Sequence, residues 1–173
     1  LERADELEQL AILDASIQGS CQVVVDISSR FIFESSVFEA RQTRDLSIDE
    51  FSRLMLDSQR QTYGDGLDQN LLHPYMWAAK GHYYSSPFYN FPYMFGLLFG
   101  LGLYSRYQQD PDGFRAGYDE LLSSTGLADA ATLAGRFGYD IRAPEFWTSS
   151  LDIVRDSINR FEKLVDAAVA GQS

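Results

Sequence analysis

Two histidines, one cysteine, five prolines and three methionines among 173 residues leave little material for several kinds of chemistry. Cys21 stands alone, so no internal disulfide can form, which fits a reducing cytoplasm. In its apolar helical surroundings it is expected to be a small buried residue rather than a reactive thiol. His73 and His82 are too far apart for the i, i+4 zinc pair of a helix, and no HExxH occurs, so the expectation is no metal ligand set within this chain. There is no Gly-x-Ser-x-Gly elbow for a serine nucleophile. Gly64–Gly66 and Gly96–Gly102 lack the lysine or the strand that a phosphate-cradling loop requires. Asp65 and Asp68 beside those first glycines lack the twelve-residue spacing and closing glutamate of a calcium loop.

Basic charge is also scarce. Against 25 Asp and Glu stand 14 Lys and Arg, a net charge of −11, which opposes binding to phosphate backbones and anionic bilayers. No nucleic-acid or membrane partner is expected. The one long apolar run, Phe91–Tyr104, carries three glycines and is shorter than the roughly 20 residues that span a bilayer, so it reads as a core helix. The start is charged and helical, without a signal peptide. It begins at Leu1 in the middle of an amphipathic pattern, as expected of a piece of a longer chain. Hydrophobic content of 45% and charged content of 23% describe a globular protein, and the length suits a single helical domain over 1–173.

What is present is helical. From Ala4 to about Arg41 there is no proline and one glycine, and apolar residues recur at a helical period on more than one face, which predicts a helix buried between neighbours. The β-branched run Val23–Val25 weakens propensity there. Gln22, Asp26, Arg30 and Glu34 form an i, i+4 polar stripe. It reads either as a solvated stripe or as a polar seam facing an internal cavity, where Asp26 and Arg30 brace other side chains. Ser47-Ile-Asp-Glu50 is a capping box that opens a helix to about Gln61, ended by Tyr63–Asp68. Asn70–Lys80 reads as short or irregular, broken by Pro74. Pro87 and Pro92 lead a loop into an apolar helix over about 89–108. Its Gly96, Gly100 and Gly102 each cost roughly 1 kcal/mol against alanine, which implies close approach of another backbone. Helices at Phe114–Ser123 and Ala128–Phe137 follow, and a last one opens at Pro144. No strand pattern or repeat appears. The architecture is all-α, built around the 89–108 helix.

The residues left for chemistry lie at the entrance to that helix: His82, Tyr83, Tyr84, Phe88, Tyr89, Phe91 and Tyr93. Hydroxyl and imidazole groups at such a junction can donate to a developing oxyanion while ring faces hold a substrate. Equally, tyrosines can cap a core while His82 makes one satisfied bond.

The wording of this region resembles the oligoendopeptidase F and thimet oligopeptidase family of zinc metallopeptidases. The residues that carry the likeness are Tyr63-Gly-Asp-Gly-Leu-Asp68, His73-Pro-Tyr-Met-Trp77 and His82-Tyr-Tyr…Pro87-Phe-Tyr-Asn-Phe-Pro-Tyr93…Gly96. Gln22–Phe31 with Phe33-Glu34 supports it. The resemblance implies a multi-helix lobe beside a channel in which short peptides are cleaved. The zinc there is held by the two histidines of HExxH and a glutamate of the next helix. Neither element is in this chain, which corresponds to the C-terminal lobe after the ligand helix. Alone it is expected to bind no catalytic zinc and to cleave nothing, while the full-length parent would be a cytoplasmic zinc metalloendopeptidase. The resemblance also implies that this lobe sets a histidine and tyrosines against the substrate, opposite the metal. Tyr89 would then donate to the tetrahedral oxyanion and His82 would contact substrate backbone, with Tyr84 and Tyr93 in the same wall. Phe91 stands where many relatives have a tyrosine. The implied partners are short peptides and the missing N-terminal lobe, with self-association of the isolated piece through its uncovered interface. Two other readings stand beside this one: a non-catalytic peptide-binding module and a purely structural helical domain.

Overall fold

The computed structural model describes residues 3–171, and among these every regular element is helical. In order these are α1 (Glu6–Cys21), a π-helical segment (Gln22–Ile27), α2 (Ser28–Arg41), α3 (Ile48–Tyr63), a 3₁₀ turn (Met76–Ala79), α4 (His82–Ser85), α5 (Phe91–Gln109), α6 (Pro111–Ser123), α7 (Ala130–Arg136) and α8 (Pro144–Ala170). The boundaries follow local chemistry. Ser47 Oγ accepts from the Glu50 N–H while Glu50 reaches back to the Ser47 N–H, the expected capping box. Bonding to Arg44 first, and then to Ser47, pulls the Glu50 carboxyl down to about 2. Asp110 and Asp129 cap α6 and α7, and prolines open α6 and α8. Gly64, at φ +56°, ends α3.

The expected break in helix propensity at Val23–Val25 takes a specific form. The helix continues through it but widens to π geometry, the i→i+5 pattern that single turns adopt inside α-helices. Ser28 Oγ donates to the Val24 carbonyl (2.6 Å) and Ser29 Oγ to that of Asp26 (2.7 Å), so side chains satisfy carbonyls at the end of the wide turn.

The chain divides into two compact units. One runs from Gln18 to Phe95. Here α2 packs along α3. Ile27, Phe33, Met55 and Leu72 are buried, and Gln59, also buried, clamps the loop after α3 by accepting from His73 N (3.0 Å) and donating to His73 O (2.8 Å). The other unit comprises the chain up to Ile17 and from Gly96 onward. Leu13, Leu98, Leu103, Leu121, Leu133 and Ala134 form its core. Ser150 Oγ of α8 donates to the Leu98 carbonyl of α5 at 2.7 Å. The Phe146 ring lies over Gly102 and is flanked by Phe99, Tyr139 and Trp147.

Three expectations about burial are corrected. The first helix is not buried on several sides: of Glu6–Cys21 only Leu13 is buried, while Leu7 and Ile12 are exposed. Cys21 therefore lies on an uncovered face and is exposed rather than buried. The apolar helix expected at 89–108 exists as α5, but only Leu98, Gly102 and Leu103 are buried, and Phe91, Tyr93 and Tyr104 are open. Of its glycines, Gly102 alone meets a close neighbour, and that neighbour is a ring rather than a backbone. By length and composition Glu6–Arg41, not α5, could cross a bilayer. Its Arg30 and Glu34 are instead engaged by polar partners of the protein, where hydrocarbon would make them costly.

The glycines make this packing testable. A Cβ on Gly102 would sit 2.5 Å from the Phe146 ring, whereas one on Gly100 would meet nothing within 4 Å. Gly102→Ala is expected to destabilise by about 1–3 kcal/mol through overpacking. Gly100→Ala should stabilise by about 0.5–1 kcal/mol through helix propensity. Urea unfolding of both variants checks the difference in sign.

Candidate functional site

The aromatic entrance to α5 is shaped by a buried carboxylate. Glu34, 3% exposed on α2, accepts from the Phe88 N–H (2.7 Å) with one oxygen and from Asn90 Nδ2 (3.1 Å) with the other. Asn90 is itself 1% exposed. Between these two anchors sits Tyr89. Phe88 has φ +58°, a conformation that a bulky L residue adopts only when its surroundings impose it. Two contacts do so: the Glu34 bond, and stacking of the Phe88 ring on Phe38 at 4.7 Å. The turn Ser86–Asn90 is thus pinned, with Tyr89 at its tip and half exposed.

Beneath it runs the rest of the i, i+4 stripe. Asp26 accepts from Arg30 and from the Tyr63 hydroxyl at 2.7 Å. Burial, then the bond to Asp26, pushes the Tyr63 phenol up to about 12. Arg30 is 8% exposed, and only Gln22 of the four stripe residues lies in solvent. Asp26 thus braces Tyr63 and Arg30 as a seam would, but of the four stripe residues only Glu34 lines a cavity. Tyr83 packs its ring edge-on against Phe33 at 5.2 Å, and burial raises its phenol well above the ordinary range.

Three of the four expected site residues come together. The His82 ring lies 5.8 Å from that of Tyr89, and Tyr89 lies 5.5 Å from Tyr93 in an edge-on arrangement. The Tyr93 phenol is raised, first by its hydrogen bond to Tyr89. Tyr84 does not join this row. Its hydroxyl reaches the Trp77 carbonyl at 3.4 Å, and its ring lines a separate cavity. His82 belongs to the helical turn α4 rather than to a loop.

His73 is remote from this chemistry: its Nδ1 accepts from the Tyr75 N–H at 3.1 Å. Among the described residues no three His, Cys, Asp or Glu side chains gather as a metal site. Glu34 was visible in the sequence only as a stripe member. Asn90 and Gln59 carried no signal, because a buried amide looks like a surface one until its partner is known.

Removing the Glu34 carboxylate leaves the Phe88 N–H and the Asn90 amide without an acceptor, each at a cost of about 1–3 kcal/mol. Glu34→Ala is expected to lower unfolding free energy by about 2–5 kcal/mol and to make the 86–90 turn susceptible to limited proteolysis. Both are measured on the purified chain.

The chain matches no family model, no curated protein and no solved structure.

Proposed function

We propose that this chain is the C-terminal lobe of a zinc oligopeptidase and supplies the substrate-facing wall of its active site. The observation that carries the reading is the row His82, Tyr89 and Tyr93, with Tyr89 at its centre on a turn whose strained backbone is fixed from below by Glu34. A strained, over-determined turn that presents polar aromatic groups is a common design for a preorganised site.

In this role Tyr89 O–H donates to the oxyanion that forms when a peptide carbonyl is attacked. Tyr93, hydrogen-bonded to Tyr89 and packed edge-on against its ring, keeps that hydroxyl in place. His82, beside Tyr89, hydrogen-bonds the substrate backbone. The zinc and its ligands belong, on this reading, to the preceding part of the polypeptide. Short peptides are the substrates, and the cytoplasm is the compartment. The exposed Leu7, Ile12, Phe91 and Tyr104 suit a chain with further protein to cover them.

The complete polypeptide tests these roles. Tyr89→Phe is expected to lower kcat about 10²- to 10³-fold with zinc content unchanged, the usual effect of losing one oxyanion donor. Tyr93→Phe should lower kcat by a smaller factor, because Tyr89 can still donate. Turnover in Tyr89→Phe equal to wild type would refute the assignment.

A further inference from the structure

A cavity of about 530 Å³ opens in the Gln18–Phe95 unit, and none of His82, Tyr89 or Tyr93 lines it. Its size falls within the range of small-molecule sites. The wall is a continuous set of rings: Trp77 lies 5.2 Å from Phe51, Phe51 6.4 Å from Phe33, and Phe33 5.2 Å from Tyr83. Such a surface takes a flat apolar body by stacking and edge contacts.

The polar groups of the wall are unequal. Glu34 lines it, but each of its oxygens already accepts from a group of the 88–90 turn. Two exposed donors remain, the Gln42 carboxamide and the Arg41 guanidinium. Arg41, the charged one, lies seven residues and so about 10 Å beyond Glu34 along α2. Its one ion pair, to Asp45 at 3.4 Å, joins side chains that are 56% and 96% exposed. A pair so exposed is weak and readily exchanged. An aromatic lining, a spent acid and an exposed guanidinium favour an aromatic anion over an aromatic cation.

We propose that this cavity binds an aromatic carboxylic acid, with its rings against Phe33, Phe51, Trp77 and Tyr83 and its carboxylate at Arg41. The assignment rests on the cavity alone and is independent of the peptidase reading.

Calorimetric titration of the chain with 2-naphthylacetate, its uncharged amide and 2-naphthylmethylammonium is the test. The acid is expected to bind at least tenfold more tightly than the amide, and the ammonium compound most weakly. Arg41→Gln, a substitution at an exposed position, should bring the acid to the level of the amide and leave the amide unchanged. Val37→Trp, which fills the cavity, should abolish binding of both, with retained helicity by circular dichroism showing that the variant is folded. Absence of binding by the acid, tighter binding of the ammonium compound, or an acid preference that survives in Arg41→Gln would each overturn the proposal.

Discussion

Much of the Gln18–Phe95 unit depends on one buried carboxylate. Glu34 sits inside α2, where an unpaired charge would be severely penalised, and it is tolerated because two donors of the 88–90 turn meet it. The dependence runs both ways. The turn holds Phe88 at positive φ only because its N–H has a fixed acceptor and its ring a partner in Phe38. Removing the charge would free the turn, and removing the turn would strand the charge. Such mutual dependence selects one conformation of a segment that would otherwise have several.

The consequence is positional precision at Tyr89. Its backbone is bracketed by two anchored residues, and its hydroxyl is hydrogen-bonded to that of Tyr93 on the first turn of α5. Flexibility at the tip would spread the hydroxyl over many positions, whereas the donation proposed for it requires that it be aimed before the charge develops. The seam below extends the same logic. Asp26 ties Arg30 to Tyr63, so α3 is joined to the helix that carries Glu34.

The helical elements were legible because their ends are written in short-range chemistry. Ser47 with Glu50, Pro144, and Gly64 after Tyr63 each act within a few residues, and the structure places caps and stops there. The residues that gather the site act across more than fifty positions, Glu34 with Phe88 and Asn90, and no periodicity encodes such a pairing. Burial was misjudged for a related reason. Apolar residues on several faces of α1 and α5 signal surface to be covered, but not what covers it, and Cys21 and Phe91 are open here. Gly96 and Gly100 likewise looked like packing positions, yet only Gly102 meets a neighbour, the Phe146 ring.

If the His82–Tyr89–Tyr93 row faces a metal centre contributed by the same polypeptide, as proposed, the codons that precede Leu1 must encode it. Sequencing them is expected to reveal an HExxH within roughly a hundred codons, on a helix as a metal-binding pair requires, with a second helix bearing a glutamate between it and Leu1. A stop codon there, or a preceding sequence without that motif, would contradict the proposal.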